Sequence, residues 1–93
     1  MVKEVRTSDV FEASYYRAEG LELIAMEASA DLPARSECVF VLSGEETLIE
    51  ALSTQYLTGR ATVNVIKFKR FYWDSCQNLR GAKKKLRAPG GDR

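Results

Sequence analysis

The 93 residues are 45% apolar and 29% charged, a balance ordinary for a globular chain and far from the signature of disorder, and the length leaves no room for a second domain. The net charge of +1 hides an asymmetry: residues 1–56 carry 4 basic and 11 acidic side chains, net −7, while residues 57–93 carry 10 basic and 2 acidic, net +8. No apolar run approaches the roughly 20 residues of a membrane span, and the polar start Met1 to Asp9 lacks the apolar segment of a secretory signal, so the expected compartment is the cytoplasm.

Thr7-Ser8-Asp9 offers three N-cap candidates in succession. Glu12 stands at capping-box spacing from Asp9, and Gly20 supplies a left-handed stop, which frames a helix over roughly residues 8 to 19. Phe11, Ser14, Tyr15 and Ala18 fall on its expected buried face. The segments Leu21 to Met26 and Cys38 to Leu42 are short, apolar and free of Gly or Pro, and read as an antiparallel hairpin with Pro33 in its connection. The run 38–42 is apolar on both alternating faces, so it should be covered on both sides. A two-stranded sheet alone is marginal, and Val2 to Arg6 is the candidate third, edge strand.

Ser43-Gly44-Glu45-Glu46 has the spacing of a capping box for a second helix, whose apolar stripe is Leu48, Ile49, Leu52 and Tyr56 and whose stop is Gly59. Asn64 caps a third and longest helix running to about Leu86. The expected fold class is α+β: an antiparallel sheet of two or three strands packed with three helices, in one domain over residues 1–87, with 88–93 a disordered tail around Pro89-Gly90-Gly91. Phe40, Leu52, Phe68, Tyr72 and Leu79 are the expected core.

Little of the sequence suggests catalysis. With no histidine, triads that depend on it are excluded, and so is the residue best suited to acid-base work near neutral pH. Cys38 and Cys76 read as reduced core residues and cannot alone fill a structural zinc site. Glu45, Glu46 and Glu50 have the placement that a helix dipole favours in any first turn. Neither enzyme activity, nor a cofactor or metal, nor a small-molecule substrate is implied.

The third helix has two readable faces. Val65, Phe68, Phe71, Tyr72, Cys76, Leu79, Ala82 and Leu86 gather on one side as a core stripe. On the other side Ile66, Arg70, Trp73, Gln77, Arg80 and Lys84 recur at helical spacing, with Lys69 beside them. A Trp among basic residues suits a protein interface, where Trp and Arg are over-represented among hot spots. It also suits stacking and phosphate contact with nucleic acid, for which Lys67 and Lys83 to Lys85 add charge. The plainer alternative packs Trp73 on a neighbouring element and leaves the cations solvated. A protein partner or second copy is the leading expectation, because acidic and basic regions on one small domain permit self-pairing; nucleic acid is second, since a pI near 7.7 falls short of the basic balance typical of such binders.

The order of landmarks resembles a small bacterial and phage-associated family classed as a domain of unknown function. The matching residues are Thr7-Ser8-Asp9, Ala13, Gly20-Leu21-Glu22-Leu23, Val39-Phe40-Val41, Tyr56 with Gly59, and Ala61-Thr62-Val63-Asn64 with Phe68, spanning residues 5–87. The long Ala28 to Glu37 stretch departs from the tighter hairpin that the pattern would require. The resemblance implies the architecture and no mechanism.

Overall fold

The computed structural model describes residues 1–28 and 38–87, apart from the side chains of 28 and 83–87. In chain order the elements are β1 (Val2–Thr7), α1 (Val10–Ala18), β2 (Glu22–Ala28), β3 (Cys38–Glu45), α2 (Glu46–Leu57) and α3 (Val65–Arg87). The class is α+β as expected, with a three-stranded antiparallel sheet and α3 the longest helix at 23 residues. The Pro33 connection and the tail 88–93 lie outside the described residues.

β3 is the central strand, flanked by β1 and β2. Its alternation sorts the sheet into two faces. Phe40 and Leu42 point inward beside Val5 of β1 and Leu23 and Met26 of β2. Against them pack Ala13, Tyr15 and Tyr16 of α1 and Ile49 and Leu52 of α2, and Phe68 and Leu79 of α3 close the same core. Leu23 and Met26 are three residues apart, a spacing no regular strand puts on one face. A bulge between Leu23 and Ala25 lets both turn inward and leaves Ile24 exposed.

By the same register Glu4, Arg6, Val39, Val41, Glu22, Ala25 and Glu27 belong to the outer face. Val41 is nevertheless buried. Arg6 on one edge strand reaches Glu27 on the other, Nε to Oε1 3.1 Å, so the arginine stem crosses over the central strand. Among the described residues, the outer side of β3 is crossed by this ion pair and carries no second apolar layer of the kind expected.

Both helix stops act as read from sequence. After α1, Gly20 at φ 114° lets Leu21 N–H donate to Tyr16 and Gly20 N–H to Arg17; after α2, Gly59 at φ 75° repeats the pattern on Gln55 and Tyr56. Asn64 caps α3 as expected, its Oδ1 accepting from Lys67 N–H at 3.0 Å. Asp9 caps α1 by accepting from Phe11 N–H at 2.9 Å.

The two capping boxes do not form as expected. Glu12 turns away from the Asp9 backbone, which Thr7 Oγ1 satisfies instead, and its carboxylate accepts from the Thr7 and Tyr16 hydroxyls. Ser43 is a strand residue, paired with Glu4 and Glu22, and α2 starts only at Glu46. The first amide of α2 donates to the Met1 carbonyl at 2.9 Å. Continued ladder pairing of β3 with β1, out to Val2 and Glu45, displaces the local cap.

The α1 face also needs correction. Phe11 is 52% exposed, whereas Ala13 and Tyr16 are buried along with Ser14, Tyr15 and Ala18. α1 is sandwiched between α3 on one side and the sheet with α2 on the other, so its buried arc is wider than one stripe. Of the five expected core residues, Phe40 and Leu52 are buried; Phe68, Tyr72 and Leu79 are half-buried. They lie under α3, whose far side is solvent.

Three phenols line the α1–α2 contact. Tyr16 donates to Glu12, Tyr56 to Asp9 at 2.6 Å, and Tyr15 to Gln55 at 3.1 Å. Burial, reinforced by the Glu12 carboxylate, pushes the Tyr16 phenol up to about 12, and burial with Asp9 raises Tyr56 as well. Since an unfolded tyrosine ionises near 10, the unfolded chain loses its proton first. Stability present below pH 10 should therefore fall between pH 10 and about 12. Urea midpoints across that range should drop steeply in the native sequence and less steeply in Tyr16→Phe; equal slopes would contradict the assignment.

Candidate interaction surface

α3 is amphipathic and docks chiefly on α1. Its docked side runs through Phe68, Phe71, Tyr72, Cys76, Leu79 and Ala82, all half-buried, with Ser75 fully buried at the centre. Two corrections apply to the expected core stripe. Val65 is exposed because it lies at the helix start, beyond the elements that cover the rest, and Ser75 was not in the stripe at all. The side chain of Leu86 lies outside the described residues.

Arg17 explains how a serine comes to occupy the centre. From the last turn of α1 its guanidinium donates to Ser75 Oγ at 3.1 Å, pairs with Asp74 at 2.8 Å and lies 4.9 Å above the Phe71 ring. One turn further down, Phe11 stacks on Tyr72 at 5.2 Å, and Tyr72 on Phe68 at 6.1 Å. These contacts fix the rotation of α3, and with it the direction of the opposite stripe.

That opposite stripe is exposed. Trp73 is 66% and Ile66 71% accessible, and Lys69, Arg70, Gln77 and Arg80 are all exposed around them. Lys84 continues the stripe along the helix; its side chain lies outside the described residues. Trp73 is therefore not packed on a neighbouring element among the described residues.

Among the described residues, Lys67, Lys69, Arg70 and Arg80 do not turn back to pair with the acidic side chains of residues 1–56. Ion pairs between side chains join Lys3 to Glu46, Arg6 to Glu4 and Glu27, and Arg17 to Asp74. Only the last links residues 1–56 to the rest among the described residues, and its polarity is the reverse of the bulk charges. Lys67, Lys69, Arg70 and Arg80 have no ion-pair partner among the described residues.

Sequence reasoning missed Arg17. Its signal was available: it is a rare cation in an acidic half, and Asp74 is the lone acid of α3. The outer face of the sheet was also missed, because its membership depends on register.

The remaining sites offer less. Cys38 is buried and Cys76 half-buried, and both thiols are free. No group of three or more potential metal ligands occurs among the described residues, and no helix there is long and apolar enough to cross a membrane. An open groove of about 580 Å³ at the end of α2 is lined by Thr54, Gln55, Thr58, Arg60 and Thr62, where Thr58 already donates to the Thr54 carbonyl. The chain matches no family model, no curated protein and no solved structure.

Proposed function

We propose that this chain is a non-catalytic protein-interaction module whose contact surface is the outward stripe of α3, centred on Trp73. The observation that carries this reading is the exposure of the chain's single Trp among cations that have no ion-pair partner among the described residues. An exposed indole flanked by Arg is the composition of an interface hot spot, and solvent leaves its apolar area unburied. A second reading, nucleic-acid binding, draws on the same free cations: Lys67, Lys69, Arg70 and Arg80 flank an aromatic that a base can stack on.

Trp73→Ala separates these from a structural role. On an interface it should weaken association by more than about 1 kcal/mol, read by sedimentation, while leaving the melting temperature nearly unchanged. On nucleic acid it should weaken a salt-sensitive gel shift, and Arg70→Ala or Arg80→Ala should each lower the salt slope by about one. A chain that stays monomeric, shifts no nucleic acid and merely unfolds without Trp73 overturns both.

A further inference from the structure

Building on that interaction surface, we propose that its partner is the outer face of the sheet in a second copy of the same chain, so that copies join head to tail. The two faces are complementary. The α3 stripe presents Lys69, Arg70 and Arg80 around exposed Trp73 and Ile66. The outer sheet face presents Glu4, Glu22 and Glu27 against one cation, Arg6, which Glu4 and Glu27 already hold. Glu22 has no ion-pair partner among the described residues. Between Glu22 and Glu27 stands Ala25, the smallest side chain on that face of β2, with exposed Ile24 beside it at the bulge. An indole seated there meets an apolar floor between two carboxylates.

Topology prevents one copy from satisfying itself. All three helices pack on the inner face of the sheet, and α3 turns its stripe away from that core. The stripe and the outer sheet face therefore lie on opposite sides of the domain. Pairing like with like is disfavoured: stripe against stripe opposes Arg70 and Arg80 to the same cations, and sheet against sheet opposes the glutamates. Unlike pairing joins two different patches, and such a contact propagates unless its rotation closes a ring.

The test uses two variants of the full chain. Arg70→Glu/Trp73→Ala disables the stripe, and Glu22→Lys/Ala25→Lys disables the outer face; circular dichroism first confirms that each folds. In sedimentation velocity the wild type should grow beyond dimer with concentration, its single Trp shifting its emission to the blue, and added salt should reverse both. Each variant alone should associate at least about tenfold more weakly. Mixed one to one, they should form a dimer of two 10.5 kDa chains and stop there, because only one intact stripe and one intact outer face meet. A wild type that associates while the mixture stays monomeric overturns the head-to-tail arrangement, and a Glu22→Lys/Ala25→Lys variant that associates as strongly as the wild type overturns the outer face as the partner but leaves the α3 surface as the interface. A wild type that remains monomeric at high concentration overturns the self-pairing, and a gel shift saturating on that monomer assigns the stripe to nucleic acid instead.

Discussion

Phe40→Ala should cost about 3–5 kcal/mol, the range for emptying a fully buried aromatic site. Phe40 is buried at the middle of the central strand, opposite Thr7 on one side and Met26 on the other. The helices also meet there, since Tyr16, Leu52 and Leu79 belong to the same cluster. No neighbour is free to collapse into the void without dragging a strand or helix with it. A domain of this size holds roughly 5–14 kcal/mol in total, so the loss consumes a large fraction. The melting temperature should fall by on the order of 15–30 °C in calorimetry. Val39→Ala, half-buried on the outer face of the same strand, should cost about 1 kcal/mol or less. If the two substitutions cost the same, the inner face of β3 does not carry the core.

The parts of this fold that were legible in the sequence are those decided within a few residues. Gly20 and Gly59 stop their helices because the left-handed backbone they adopt favours glycine, and Asp9 and Asn64 cap theirs with their own side chains. The α3 stripe was legible for the same reason: helical spacing alone places Trp73 opposite Phe68 and Leu79, and tertiary structure did not override it. What failed depended on distant partners. Ser43 lost its capping role to strand pairing with residues near the start of the chain, and the inward turn of both Leu23 and Met26 needed a bulge that no alternation pattern announces. Phe11 sits at the proper spacing for burial but stacks on the flank of α3, where half its surface stays wet. The acidic outer face of the sheet is invisible until register puts Glu4, Glu22 and Glu27 on one side.

Arg17→Ala should cost about 2–4 kcal/mol, more than any other charged substitution in the described chain, and the reason lies outside its ion pair. The Arg17 side chain is 14% exposed but that of Asp74 is 55% exposed, so water screens the pair and it contributes at most about 1 kcal/mol. Asp74→Asn should accordingly be mild. The guanidinium over Phe71 adds about 1 kcal/mol. The hydrogen bond to Ser75 adds about 1–3 kcal/mol, because the fully buried hydroxyl loses that donor when Arg17 goes. Ser75→Ala should therefore soften the effect of Arg17→Ala, and a double-mutant cycle in urea should return a coupling of about 1 kcal/mol. Arg17→Lys should recover little, since an ammonium cannot serve a carboxylate, a hydroxyl and a ring face from one planar group. The consequence reaches the outward stripe. α3 is held chiefly by α1, and Arg17 fixes its rotation, so loosening this contact should blur the direction in which Trp73 points. Association should weaken in Arg17→Ala although residue 17 lies on the other side of α3 from the stripe; unchanged association with a loss below about 1 kcal/mol would remove Arg17 from that role.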